Sequence, residues 1–250
     1  MSIRLAALTL ALILLCAQAE AARVIGYVRD AATQRYLYTE VHEQNLAPDG
    51  AVQTGVTTYF DAQGREIARK TLDYRSNRTV PIYRMDIPAV RYAEGISSNS
   101  PQALVFKRDG DKEDRKALPL DDGLVAADAG FNQLLQDQLD TIRKGETVKF
   151  GLIVAGHTNR YGFRAKKVDE QRVDGQTVLR VLVEPDSLLR LVVPAIALSY
   201  DLKTRRLLSY QGVSNIIDPD TSKVYKLISI SYGGVPPADA RLPAIAVEAR

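Results

Sequence analysis

Hydrophobic positions along this chain recur with two different periods. Between residues 24 and 108, runs rich in Val, Ile, Thr and Tyr alternate with polar residues at a period of two, which suits a pleated, half-buried surface. The runs 24–29, 35–44, 51–60 and 66–74 read as successive antiparallel strands, and 79–86 and 103–108 continue the sheet, with 96–101 as a loop. Turn signals separate them: Asp49-Gly50, Asp61-Ala62-Gln63-Gly64, Asp109-Gly110, Asp122-Gly123 and, further on, Asp174-Gly175. Between 131 and 144 the period changes. Phe131, Leu134, Leu135, Leu139 and Ile142 share one face at helical spacing, while Gln133, Gln136, Asp137, Asp140 and Arg143 cover the other. Asp128 near the start and Arg143-Lys144-Gly145 at the end match the macrodipole and a glycine stop. Strand patterns then resume over 148–155, 161–168, 178–183, 195–201, 207–213 and 224–232. The last of these places Ile228, Ile230 and Tyr232 on one face and Ser229 and Ser231 on the other.

The order of many strands, one long helix and many strands predicts a mainly β (α+β) fold: a curved antiparallel sheet or half-barrel. The amphipathic helix would lie on its concave face. A second short helix is expected in 186–194, where Asp186 or Ser187 supplies a cap and Pro194 disfavours continuation. The alternative is two small β domains joined near Asp122-Gly123. After Gly233-Gly234 the pattern fades, and 235–250 reads as a mobile tail behind a domain spanning 22–234.

The first 21 residues stand apart. Arg4 precedes an apolar run from 5 to 15 broken only by Thr9, then Ala17-Gln18-Ala19 or Ala19-Glu20-Ala21 offers an A-x-A cleavage pattern. The run is shorter than the roughly 20 residues a bilayer-spanning helix needs. It therefore reads as a signal peptide cleaved between 19 and 22, which implies export. Cys16 is the only cysteine, so the mature chain would have none, excluding a disulfide scaffold, a thiolate metal site and a cysteine nucleophile. With Lys and Arg interspersed among acids, as in 109–115, there is no basic stripe for nucleic acid. No later stretch is long and apolar enough to span a membrane.

Candidate chemistry is sparse. His42 and His157 are far apart, and neither sits in a zinc-binding pattern. Phosphate-binding loops, dinucleotide fingerprints and nucleophile elbows are absent. The acidic run 109–114 lacks the sixth-position glycine and closing glutamate of a calcium loop. One strand face is notable: Tyr36, Tyr38, Glu40 and His42 share a side by the two-residue period, so Glu40 could orient His42 as a base. The same pattern also fits the wet face of a sheet. Asp73, Arg75, Arg78, Arg84 and Asp86 read as surface ion pairs. The segment 188–197 is apolar almost all round, interrupted by Arg190, and must be core, the wall of a cleft or an interface.

A resemblance rests on the second half of the chain. Ala129-Gly130-Phe131 with its helix, Gly145-Glu146-Thr147-Val148-Lys149-Phe150, 188–194, Tyr200-Asp201, Arg205-Arg206-Leu207-Leu208 and Tyr210-Gln211-Gly212-Val213-Ser214-Asn215 together resemble a group of uncharacterised proteobacterial exported proteins. That group is distantly similar to the periplasmic lipoprotein-carrier superfamily. The resemblance implies a curved half-barrel, a periplasmic location and an apolar-ligand cleft, with no catalytic residue. The expectation is thus a non-enzymatic protein that shelters a lipid or other apolar ligand, without metal or cofactor. Leu134, Leu135 and Leu139 of the helix, with Leu188, Leu189, Leu191 and Val192, would line the cleft. The alternatives are an envelope protein that binds a protein partner without a small-molecule ligand, and an enzyme built around Glu40 and His42.

Overall fold

The structure is a computed structural model that describes residues 20–120, 123–191 and 193–242. The expected leader lies outside the described residues, apart from its last two positions. The first half of the chain is a meander of eight strands: β1 (Glu20–Asp30), β2 (Tyr36–Leu46), β3 (Val52–Asp61), β4 (Glu66–Asp73), β5 (Ile82–Ile87), β6 (Tyr92–Asn99), β7 (Ala103–Asp109) and β8 (Lys112–Leu118). The second half holds β9 (Val125–Ala127), helix α1 (Gly130–Arg143), β10 (Val148–Val154), β11 (Asn159–Val173), β12 (Gln176–Pro185), β13 (Ile196–Asp201), β14 (Leu207–Gly212), the small hairpin β15 (Ile217–Asp218) and β16 (Lys223–Val224), and β17 (Ile228–Tyr232).

Fifteen of these strands form one sheet in the order β8-β7-β6-β5-β4-β3-β2-β1-β17-β14-β13-β12-β11-β10-β9. Its neighbours are antiparallel except β9 and β10. The halves before and after 121–122 are joined edge to edge by the β1–β17 ladder, Gly26 opposite Tyr232 through Asp30 opposite Ile228. The sheet is mainly antiparallel, strongly curved and unclosed. The two-residue hairpin between β11 and β12 turns on Asp174 and Gly175 with φ of 49° and 82°, the left-handed pair that such a turn requires.

Curvature creates two packed regions on the concave side. Around α1, Leu134, Leu135, Leu139 and Ile142 are buried against Val148, Phe150, Ala165, Leu179, Val181, Val183, Leu198 and Tyr200. The predicted helix face is therefore the packed one. Gln133 is an exception: assigned to the polar face, it is buried and accepts a bond from Arg78 Nη2 at 2.8 Å. At the other end the sheet curls until β9 and β10 meet the first half. Val125, Ala127, Ile153 and Ala155 join Leu72, Tyr83, Ile96, Val105 and Leu118 in one cluster. The Ala127 N–H donates to the Thr79 carbonyl at 2.9 Å, fixing that approach. On the opposite face of β1–β3, Leu242 packs on Ile25, Tyr27, Val41 and Phe60, and the Arg241 N–H donates to Ala62 O at 3.2 Å.

Two expectations change, and one charged stretch gains a definite place. Residues 96–101 are not all loop, because β6 runs through to Asn99. Its Gly95, Ser97, Ser98 and Asn99 are poor strand formers held by ladders on both sides. The charged stretch after Asp109-Gly110 is an edge strand, β8, whose side chains up to Ala117 are exposed. The expected second helix is a four-residue 3₁₀ turn, Leu188–Leu191.

Candidate functional site

The concave face encloses a broad open cavity of about 2320 Å³. Its walls come from β2–β6, the start of α1, β10, β13, β14, β17 and the segment 213–217. Ten of the twelve tyrosines line it, all but Tyr27 and Tyr36. The cavity wall is thus rich in tyrosine among aliphatic residues, with buried charge at its floor.

Register explains how that floor is assembled. His42 lies opposite Thr57, Thr57 opposite Lys70, Lys70 opposite Met85 and Met85 opposite Glu94. Directly paired residues point to one side of a sheet, so five strands present a single row into the cavity. A second row, Tyr232–Gly26–Glu40–Tyr59, runs beside it. Residues remote in sequence become neighbours by pairing alone.

Lys70 and Asp128 form the most buried ion pair among the described residues: Lys70 Nζ donates to both Asp128 oxygens at 2.7 Å, with side chains 8% and 6% exposed. Asp128 follows β9 in the left-handed region, φ 46°, an unusual conformation for a residue other than glycine and one that concentrates at functional positions. Its Oδ1 also accepts the Ala129 N–H at 2.6 Å. Asp128 thus stands at the entry to α1, as its place near the helix start suggested, and its carboxylate also faces the cavity. Lys70 lies 5.8 Å and 5.9 Å from the ring centroids of Tyr59 and Tyr83. Burial opposes its charge most strongly, yet Asp128, aided by Glu40 and Glu94, outweighs burial and holds the ammonium above the usual lysine range.

Glu94 is the second buried acid. Tyr92 donates to its Oε2 at 2.5 Å, and burial pushes its carboxyl above the usual glutamate range despite the Tyr92 and Asn215 bonds. Gly156, at the β10–β11 connection, packs directly on this pair. A Cβ there would stand 2.6 Å from Glu94 Oε2 and 2.8 Å from the Tyr92 hydroxyl, so a side chain at this position would displace the pair.

Glu40 is the third. Its Oε2 lies 3.1 Å from His42 Nε2 and 3.4 Å from the Tyr232 hydroxyl, and Thr57 Oγ1 lies 2.9 Å from His42 Nδ1. The sequence expectation that Glu40 engages His42 is met. Tyr36 departs from it: the β1–β2 register shifts between Tyr38 and Tyr36, so Tyr36 turns away and bonds Thr39 at 2.5 Å instead. The carboxylate–imidazole–hydroxyl chain resembles a nucleophile-activating arrangement. Thr57, however, is mid-strand, and its neighbours' backbone groups are engaged in ladders to β2 and β4, which leaves no pair of N–H donors to stabilise an oxyanion. Among the described residues no cluster of His, Cys, Asp and Glu is arranged to hold a metal ion.

The residues expected to line a cleft are distributed differently. Leu134, Leu135 and Leu139 are 2%, 0% and 0% exposed and belong to the packed core beneath α1, not to the cavity wall. Leu188 and Leu191 are 75% and 76% exposed on the 3₁₀ turn. Val192 lies outside the described residues, as does the side chain of Leu189. From that segment, Val193, Pro194 and Ile196 do reach the cavity. Sequence reasoning did not select Lys70, Glu94 or Asp128. The available signal was phase: Lys70 shares the inward phase of its strand with Ala68, Leu72 and Tyr74, and Glu94 that of Tyr92 and Ile96.

The fold and this lined concavity define the class: a curved, unclosed β sheet holding an open, tyrosine-rich cavity. Its fold is similar to that of a β-barrel-like protein of the domain of unknown function DUF1849 from Brucella abortus, with a TM-score of 0.50 at 10% identity over 86% of this chain and 95% of that one. An outer membrane lipoprotein-sorting protein domain from Vibrio parahaemolyticus aligns over 86% of this chain and 83% of its own, at TM-score 0.29 and 9% identity. A DUF1329 family protein from Desulfovibrio piger aligns over 91% and 90%, at TM-score 0.27 and 10% identity. No protein-family model matches the chain, and no curated protein does.

Proposed function

We propose that this is a non-enzymatic binding protein of the bacterial envelope, one that shelters the apolar part of a ligand in the concave cavity. The observation that carries the reading is the cavity itself: about 2320 Å³, open, and walled by ten tyrosines with Leu152, Phe163, Ile196, Leu198 and Ile230. A large concavity with apolar and aromatic walls and convergent polar groups is the usual form of a small-molecule site. Aromatic rings offer apolar area with little side-chain freedom to lose, and their hydroxyls stay compatible with water when no ligand is bound. The proposed ligand contacts therefore move from the helix leucines, which are committed to the core, to the tyrosine walls. The leader-like first 21 residues support export to the periplasm. The test is native mass spectrometry, with lipid extraction, of the protein purified from the periplasm. A copurifying apolar small molecule at one or a few copies is expected. A chain that retains its leader, or that carries nothing and binds no apolar probe, would overturn the reading.

A second reading has one observation of its own. Leu188 and Leu191 project from the rim beside Val193 and Pro194 of the cavity mouth, and such exposed leucines suit contact with another envelope component.

A further inference from the structure

The geometry points to a cation, an alkylammonium or similar amine, as the head group that this cavity takes, with carboxylates and phosphates rejected. The inference rests on the sheltering reading above and specifies the ligand's polar end.

Three carboxylates, Glu40, Glu94 and Asp128, stand at the floor against a single ammonium, Lys70. All four side chains are at least nine-tenths buried, so their charges act where solvent screens least. Lys70 is already claimed by both oxygens of Asp128, which leaves Glu40 and Glu94 without a fixed cation. Their partners are neutral donors, the Tyr92 and Tyr232 hydroxyls, together with His42. The other cations on the wall are more exposed than this floor: Arg23, Arg78 and Arg205 pair with Glu43, Asp137 and Asp140, Arg206 and Lys226 are exposed, and Lys107 is half-buried over the Tyr92 ring.

A second, independent observation concerns the phenols. Tyr59, Tyr74 and Tyr83 are 3%, 6% and 3% exposed and line the cavity, and among the described residues nothing hydrogen-bonds their hydroxyls. Their hydroxyls keep access to the open cavity, since the one fully buried unpaired side-chain atom among the described residues is Arg23 Nε, and their ring faces attract positive charge. Lys70 already stands in such a place, 5.8 Å and 5.9 Å from the Tyr59 and Tyr83 ring centroids, with Asp128 as its partner. An anion in the same place would meet two carboxylates and the negative faces of the rings. The chain as a whole carries a formal charge of +3, so non-specific attraction would favour anions. A preference for cations must come from the site.

The test uses the full mature protein and three amphiphiles with one dodecyl chain: dodecyltrimethylammonium, dodecyl maltoside and dodecanoate. Each competes, below its micellar concentration, with a neutral fluorescent apolar probe. The ammonium should displace the probe at roughly tenfold lower concentration than dodecanoate, with the maltoside between them. Glu40→Gln and Glu94→Gln should each narrow the gap between ammonium and carboxylate. Dodecanoate equal to or tighter than the ammonium would overturn the head-group inference and leave the sheltering reading standing, as would an unchanged gap in both folded variants. Failure of all three to displace, or of the probe to bind, would overturn the sheltering reading itself. If a variant does not fold, the ranking by the unaltered protein decides alone.

Discussion

The two concave regions of this molecule are built from the same sheet to opposite ends. Beneath α1 the inward residues are aliphatic or aromatic and the helix fills the space, so that Leu135, Leu139, Ile142 and Leu179 have no exposure at all. Across β2–β6 no helix covers the sheet, and the inward rows carry His42, Thr57, Lys70, Glu94 and Glu40 among tyrosines. Burying carboxylates and an ammonium is unfavourable unless each is paired and bonded. A sheet that needed only stability would place aliphatic residues at those positions, as the helix-covered half does. The difference teaches that one end of the sheet holds the structure together while the other is shaped for something to enter.

The comparison can be broken most forcefully at the ion pair. Asp128→Asn should destabilise the protein by about 3 kcal/mol, because Lys70 is left charged and unpaired in a buried place. Lys70→Met together with Asp128→Asn should cost less than Asp128→Asn alone. Chemical denaturation of the singles and the double decides, and strictly additive losses would mean that the two groups do not act as a unit. In the packed region, Leu139→Ala should cost about 2–5 kcal/mol through lost transfer energy and a residual cavity. A loss below about 1 kcal/mol would show that α1 is not docked through this face.

Smaller effects sharpen the contrast. Glu94 has a carboxyl raised by burial, so its charged form weakens the fold at neutral pH. The folded state binds that proton more tightly than the unfolded chain does. Its contribution is therefore complete below the ordinary glutamate range and is lost as pH rises through the raised value. Glu94→Gln should raise the melting temperature at pH 7, with the gain closing in acid. A constant difference across pH would refute this origin. Asp137→Ala, on the outer face of α1, breaks a half-exposed pair with Arg78 and should change stability by under about 1 kcal/mol. Leu188→Ala should be nearly silent in the same assay, since the side chain is 75% exposed.

Much of this architecture was legible in the sequence. The helix expected over 131–144 is Gly130–Arg143, and the alternation of Ile228, Ile230 and Tyr232 marks three cavity-lining residues of β17. Period is a local property, and local properties survive without a structure. One of the strands that escaped notice, β6, delivers Glu94, and its serines, asparagine and glycine are tolerated only because β5 and β7 flank it. The floor of the cavity escaped for a related reason. His42, Lys70 and Glu94 meet through ladder register, and Asp128 through a left-handed turn after β9. Neither is written in any single segment. Glu40 and His42 were visible because they share one strand. The helix leucines misled as ligand contacts because an apolar stripe looks the same whether it faces a core or a cleft, and here the sheet closes on it.

The chain has no tryptophan, and ten of its twelve tyrosines line the cavity, so the molecule carries its own reporter. The most direct test of the central claim is to titrate dodecyltrimethylammonium, below its micellar concentration, into the native protein while following tyrosine emission and, in parallel, heat. The account predicts a saturable change in emission that tracks the calorimetric isotherm. Heat without any change in tyrosine emission would place the ligand elsewhere on the molecule, and neither signal would contradict the claim that this cavity shelters an amphiphile.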